Sequence, residues 1–403
     1  MINRNIPKIR FKEFINNWNN YKLGQLGNFK SGIGFPDSQQ GGTEGIPFFK
    51  VSDMNNIGNE TEMRNANNYV TQEQIMKNSW KVNKETPAII FAKVGAALML
   101  NRKRLVTRPF LIDNNTMSYS FDESWDKDFG LTLFQTINLP KYAQIGALPS
   151  YNASDIAMIK VNLPNVQEQS AIGSLFRTLN DLLGSYKDNL ASYQSLKATM
   201  LSKMFPKAGQ TVPEIRLDGF NGEWKKDTLE PYLTESRISG DTGLTAKKIT
   251  VKLWGKGVIE KEEKYAGSSN TQYFIRKAGQ FIYSKLDFQN QAFGIIPNGL
   301  DGYQSTLDLP TFDIQNIDPK FLLEYVMRRE FYEYQGLIAN GSRKAKRIHP
   351  EDFLVMPVRI PSLEEQQAIG SYFSNIDNFI NSYQEKISQI ETLKKKLLQD
   401  MFI

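Results

Sequence analysis

Two stretches of the chain space their apolar side chains at alternating intervals of four and three. The first places Ile172, Phe176, Leu179, Leu183, Tyr186, Leu190 and Tyr193 in one series, running on through Lys197 and Met200 to Met204. The second places Ile369, Phe373, Ile376, Ile380, Tyr383, Ile387 and Ile390, running on through Lys394 and Leu397 to Met401. These are the a and d positions of a heptad repeat held over about four heptads, and they predict two long helices with one narrow apolar stripe each. Neither stretch has a proline after its opening Pro164 or Pro361. Glu168, Glu364 and Glu365 suit the positive end of a helix dipole, and Lys394-Lys395-Lys396 suits the negative end. Helices of about 35–40 residues would be ~50–60 Å long at 1.5 Å per residue. A narrow stripe cannot stay in water, and each helix has a near-copy in the same chain. The expected solution is an intramolecular coiled coil, antiparallel if two like halves are related by a two-fold axis.

The copying extends beyond the stripes. Residues 164–205 align without a gap on 361–402, and fifteen of the 42 pairs are identical, where ordinary residue usage gives roughly two or three. A second echo stands near the front of each half. Pro7-x-Ile9-Arg10-x-x-x-Phe14-x-x-x-Trp18 matches Pro213-x-Ile215-Arg216-x-x-x-Phe220-x-x-x-Trp224 at an offset of 206. The chain therefore reads as one unit written twice: short motif, long middle, helix. The middles, 19–163 and 225–360, show little similarity. A kept frame with changed middles suggests one scaffold holding two different recognition elements.

Composition narrows the chemistry. At 403 residues and 40% hydrophobic content the chain has room for two or more domains. No run of about 18 apolar residues spans a membrane. The N-terminal residues lack an apolar core of the secretory kind, so no secretion signal is expected. There is no cysteine, which excludes disulfides and thiolate metal sites and fits a cytoplasmic setting. The single histidine, His349, lies in Lys346-Arg347-Ile348-His349-Pro350. No Gly-x-x-x-x-Gly-Lys-[Ser/Thr] phosphate loop occurs; Gly255-Lys256-Gly257 is the nearest approach and has no hydroxyl after it. Pro-Pro is absent, and with it the Asn/Asp-Pro-Pro-aromatic motif of amino-methyltransferases. No catalytic residue, metal site or cofactor is expected.

The net charge of +6 mildly favours a polyanionic partner. Lys50 and Ser52 follow a strand-like Ile46-Pro47-Phe48-Phe49; Lys93 closes the apolar run Ile89–Ala92; Arg102, Lys103 and Arg104 stand together. In the second middle Lys285 holds the place of Lys93 and is followed by Gln289, Asn290 and Gln291. Arg343, Lys344, Lys346 and Arg347 then crowd after Gly341-Ser342. Lysine and arginine suit phosphates, and arginine and the amides suit purine edges in the major groove. The plain alternative for each cluster is a solvated face.

With these residues in place the chain resembles the specificity (S) subunit of type I restriction–modification enzymes. The resemblance rests on Pro-x-Ile-Arg-…-Phe-…-Trp at the front of each half, on Phe49-Lys50-Val51-Ser52-Asp53-Met54, and on Pro350-Glu351-Asp352-Phe353. It rests most on Pro-x-x-x-Glu-Gln-x-Ala-Ile-Gly, present at 164–173 and 361–370. Departures are Asn180 where Asp377 stands in the second copy, and Ala153-Ser154-Asp155-Ile156 in place of Pro-Glu-Asp-Phe. The resemblance implies an α+β fold, with two mixed α/β target recognition domains separated by two long antiparallel helices. Together with the repeat it predicts a first domain over 1–162, a spacer helix over 163–206, a second domain over 207–359 and a second helix over 360–403. It also implies double-stranded DNA with a bipartite, asymmetric target as partner. Two modification (M) subunits would methylate adenine, and restriction (R) subunits would join them. The reading from another class is a protein-interaction scaffold with two binding domains on a coiled coil and no DNA.

Overall fold

A computed structural model describes residues 6–144, 148–262, 267–338 and 347–403. The chain divides into two compact units. One is Met1–Lys187 with Glu385–Ile403; the other is Asp188–Gln384.

The first unit contains β1 (Asn19–Lys22), β2 (Gly27–Ser31), β3 (Ile46–Phe49), β4 (Tyr69–Val70), α1 (Gln72–Lys77), β5 (Ala88–Ala92), α2 (Ala96–Met99), β6 (Lys103–Val106), β7 (Leu111–Ile112), β8 (Thr116–Phe121), α3 (Lys127–Thr136), α4 (Ala153–Ala157), β9 (Lys160–Leu163) and the start of α5 (Val166–Lys203). Four strands form an antiparallel sheet in the order β2-β8-β5-β6. Its central strand β5, Ala-Ile-Ile-Phe-Ala, is buried along its whole length, which explains its unbroken apolar run. A second sheet, β4-β3-β7, includes one parallel pair, β3 with β7. Asp126 caps α3 through the amides of Asp128 and Phe129, satisfying donors that a helix start leaves open.

The second unit completes α5 and then contains β10 (Lys225–Thr228), β11 (Leu233–Glu235), β12 (Ile238–Thr242), β13 (Ile249–Val251), β14 (Val258–Glu260), β15 (Gln272–Ile275), β16 (Phe281–Tyr283), β17 (Phe293–Ile295), β18 (Gln304–Ser305), β19 (Thr311–Ile314), α6 (Pro319–Val326), α7 (Arg329–Gln335), α8 (Pro350–Leu354), β20 (Pro357–Ile360) and the start of α9 (Leu363–Asp400). Its four-stranded sheet runs β11-β19-β16-β17, all antiparallel, and α6 follows with Asp318 as cap and Pro319 in the first turn. The two middles thus share one sheet order and one following helix, despite their unlike sequences. Their second sheets differ. The second unit has β12-β15-β18 and a separate β13-β14 hairpin where the first has β4-β3-β7.

Each unit carries the same frame. β1 pairs with β9 in the register Asn19↔Leu163 to Lys22↔Lys160, and β10 pairs with β20 from Lys225↔Ile360 to Thr228↔Pro357. A long helix follows each ribbon. In its first turn Glu168 accepts two bonds from Arg10, both 2.6 Å, and one from Trp18 Nε1 at 3.2 Å. Glu365 takes Arg216 in the same way at 2.8 and 2.7 Å, while buried Trp224 Nε1 has no hydrogen-bond partner among the described residues. Gln169 accepts from the Asp126 amide and Gln366 from the Asp318 amide, each at 3.0 Å. A Cβ on Gly173 or Gly370 would lie 2.5 Å from the Oδ1 of those same capping aspartates. The repeated Glu-Gln-x-Ala-Ile-Gly is therefore a socket, in which the start of the long helix grips the start of α3 or α6.

The helices run antiparallel. In the first unit Asn180 Oδ1 accepts from Lys394 Nζ at 2.6 Å, Lys187 pairs with Glu391 at 2.8 Å, and Phe176 meets Phe402 at 5.9 Å. In the second, Tyr193 stacks on Phe379 at 5.0 Å and on Tyr383 at 5.7 Å, and Phe205 meets Phe373 at 6.1 Å. Lys197 bonds Asp377 at 2.7 Å and Glu324 at 2.9 Å. Burial pulls the Lys197 ammonium down, but these two carboxylates outweigh it and hold it above its ordinary value. Lys394–Asn180 and Lys197–Asp377 are the same contact in the two copies. Ile172, Phe176 and Leu179 enter the core built on Trp18, Tyr119 and Phe129, together with Met401. Ile369, Phe373 and Ile376 do so with Trp224, Phe321, Met204 and Phe205. Leu183 is buried as well. Tyr186, Leu190, Tyr193, Ile380, Tyr383, Ile387 and Ile390 are half-buried.

Candidate nucleic-acid interface

In the first unit the turn Val51–Asn55 joins two of the cationic stretches. Asp53, fully buried, accepts the Lys50 amide at 2.9 Å and fixes the turn. Burial lifts the Asp53 carboxyl above its usual range against the pull of the Lys50 and Asn67 amides. Lys50 Nζ reaches Gln40 Oε1 at 3.0 Å, and Ser52 is exposed. Arg102 donates to Asn55 Oδ1, and Arg104 Nη2 to the Met54 carbonyl at 3.3 Å. Lys50, Ser52, Arg102 and Arg104 thus gather around one turn.

Lys103 does not join them. It is 4% exposed and donates inward to Asn101 Oδ1 at 2.7 Å and to the Ile137 carbonyl at 2.5 Å. Successive strand residues point to opposite faces, so Lys103 shares the core-facing side with Leu105. The run Arg-Lys-Arg is not one basic face.

Beside this turn lies an amide-rich loop, Asn55 to Asn68, which the cation clusters of the sequence do not reveal. Asn59, fully buried, holds its shape by bonding the carbonyls of Asp53 and Asn65 at 2.8 Å each. Asn55, Arg64, Asn67 and, nearby, Arg108 are exposed. The available signal was compositional: six asparagines in 14 residues between two basic stretches.

Lys93 and Lys285 are equivalents. Each follows the central strand of its four-stranded sheet. The Lys93 amide donates to the Asn115 carbonyl at 2.9 Å and its carbonyl accepts from Tyr151 N at 3.3 Å; for Lys285 the partners are Asp308 at 3.0 Å and Ile348 at 3.1 Å. Burial lowers the Lys285 ammonium, and Asp308, Glu235 and Glu351 oppose that shift. Arg347, half-buried, pairs with the same Asp308 at 3.5 Å. Arg343, Lys344 and Lys346 lie outside the described residues. Gln289 is exposed at the turn Phe288–Asn290. Asn290 spends its side-chain amide on Asp287 at 3.2 Å, and Gln291 takes a left-handed backbone, φ +54°.

A helical frame repeated twice, each copy carrying a sheet-based head, makes this a duplicated two-headed scaffold. Residues 15–190 match the family model of the type I restriction modification DNA specificity domain. The type I restriction enzyme MjaVIII specificity subunit of Methanocaldococcus jannaschii is 22% identical over 274 residues, covering 62% of this chain and 63% of its own length. The putative MjaX specificity subunit of the same organism is 22% identical over 284 residues, covering 66% and 64%. The chain thus spans a little under two thirds of the length of these relatives. The crystal structure of the type I restriction–modification S subunit of M. genitalium superposes with a TM-score of 0.63 at 14% identity, over 99% of both chains. Residues 15–190 thus resemble the type I restriction modification DNA specificity domain, and the chain as a whole shares the fold of a type I S subunit.

Proposed function

We propose that this chain is the DNA-recognition subunit of a type I restriction–modification complex, reading a bipartite, asymmetric target. One observation carries the reading. The frame recurs in matching register, and so do the four-stranded sheet and the Lys93/Lys285 positions, whereas the second sheets and their turns differ. Two heads that share a scaffold but differ at their reading edges would read two different half-sites. In this reading 1–162 and 207–359 are the target recognition domains, and 163–206 and 360–403 are the helical segments between them. Around the first turn Lys50, Ser52, Arg102 and Arg104 would serve one half-site, with Lys93 beside them. Lys285, Gln289, Asn290, Gln291 and Arg347 would serve the other, along with Arg343, Lys344 and Lys346. Phosphate contacts would fix register, and amides and arginines would select bases. The chain itself would perform no catalysis. Two modification subunits would supply adenine methylation and restriction subunits cleavage, in the cytoplasm. No helix among the described residues is long and apolar enough to cross a membrane.

The test combines the full chain with its methyltransferase subunits, S-adenosylmethionine and genomic DNA, and maps the methylated adenines. The expected product is one asymmetric two-part target that disappears when the chain is omitted. Methylation of the same sites without the chain, or methylation by the chain alone, would overturn the reading.

A further inference from the structure

The Gly255-Lys256-Gly257 segment has no part in a phosphate loop, yet the structure gives it a distinct shape. It lies at the tip of the β13-β14 hairpin, where Lys252, Leu253, Trp254, Gly255 and Lys256 are all exposed. Trp254 is 58% exposed, against 2% for Trp18 and Trp224 and 8% for Trp125, and Trp80 is half-buried. A solvated tryptophan with a lysine two residues away on either side is not what packing of the head requires.

The tip is also held rigidly. The Lys252 amide closes the hairpin on the Gly257 carbonyl at 2.9 Å. The Trp254 amide donates to the Asn290 carbonyl at 2.8 Å, and the Gly255 amide to the Gln291 carbonyl at 3.0 Å. The hairpin is thereby bolted to the turn that carries the candidate amides Gln289, Asn290 and Gln291. Both sides of the junction are strained. Trp254 has φ +60° and Gln291 φ +54°, left-handed conformations that bulky side chains rarely adopt. Met327 presses on the tip from below, since a Cβ on Gly255 would lie 2.2 Å from its Cε. Strain of this kind persists where surrounding structure enforces it, and it concentrates at sites that must present a side chain in one place.

We propose that Trp254 is a DNA-contacting residue of the second head. Its indole would pack on a base or sugar edge within the groove, while Lys252 and Lys256 neutralise phosphates on either side. The two lysines select a polyanion as occupant. An indole has a flat apolar face for bases, and apolar side chains flanked by cations are a known means of gripping and locally deforming a duplex. This inference rests on the DNA-recognition reading above and names a contact within it.

The experiment uses the full chain assembled with its methyltransferase subunits, and a duplex carrying the mapped target. The difference in tryptophan emission between wild type and Trp254→Phe isolates this indole. The duplex should shield it from acrylamide quenching. Trp254→Ala should weaken target binding about tenfold, within the range that stacking on one base supplies, and Trp254→Phe should retain most of it. Replacing Lys252 and Lys256 by Ala should reduce the salt slope of binding by about two. The lysine variants and the quenching measurement stand even if Trp254→Ala disturbs the hairpin. An indole that stays quenchable in the DNA complex, with unchanged affinity for Trp254→Ala, overturns this contact and leaves the DNA-recognition reading intact. An indole shielded by the methyltransferase subunits before DNA is added overturns it in favour of a protein contact. Failure of the wild-type complex to bind any duplex sinks both.

Discussion

A lysine ammonium buried without a carboxylate lowers stability wherever it keeps its proton, and Lys103 is such a group. Its donors go to an amide oxygen and a carbonyl, and burial pulls its pKa down to about 7 from the usual 10.5. The folded pKa lies below the unfolded one, so between them the unfolded state binds more protons. Stability should therefore rise as pH climbs from about 7 toward 10.5, and this contribution should be flat below 7. Lys103→Met should remove that slope, which is worth up to a few kcal/mol at 1.36 kcal/mol per pKa unit. Urea unfolding of both proteins at pH 7 and 9.5 checks it: wild type gains stability and the variant gains less. Parallel curves would show that Lys103 is solvated after all. The residue also marks what the sequence left illegible. Asn-Arg-Lys-Arg looks like one basic patch until the strand boundary is known, and only then does the pleat send Lys103 inward.

At the scale of the element, the two long helices were legible because a four-three spacing leaves little choice of structure. What the stripe touches was not legible, because a heptad pattern is satisfied by any apolar surface. Ile172, Phe176 and Leu179 enter the core of a head as well as facing a helix. The glycines were equally mute in the sequence. Gly370 sits in the socket, where a Cβ would lie 2.5 Å from Asp318 Oδ1 and 3.1 Å from the Phe321 amide; at Gly184 nothing lies within 4 Å. Gly370→Ala should cost about 1–3 kcal/mol through overpacking. Gly184→Ala should stabilise α5 by roughly 0.5–1 kcal/mol, since glycine is the poorer helix former. Denaturant midpoints of the two variants should move in opposite directions. A loss at Gly184 as large as at Gly370 would mean that the socket has no special fit.

At the scale of the whole molecule, the repeat offsets of 206 and 197 already contained the matching registers of the β1-β9 and β10-β20 ribbons. The shared sheet order of the two heads was hidden, because backbone pairing can persist while nearly every side chain on it changes. The compact units also do not follow the repeat. Each takes the beginning of one long helix and the end of the other. In the second unit the chain passes directly from the end of α5 into the next head, and Ile215 N bonds the Lys203 carbonyl at 3.0 Å. In the first, Ile9 N makes the same bond to Asp400 at 2.9 Å with no covalent link between them. One seam of the molecule is thus sewn by peptide and the other by a hydrogen bond and the side chains around it. Either junction should therefore be able to carry the peptide link. A permuted chain with residues 403 and 6 joined by a short glycine–serine bridge, opened in the exposed segment 207–210, should unfold at the same denaturant concentration as the original and direct methylation to the same target. A permutant that cannot fold would mean that the order of synthesis, and not only the closed set of contacts, decides the structure.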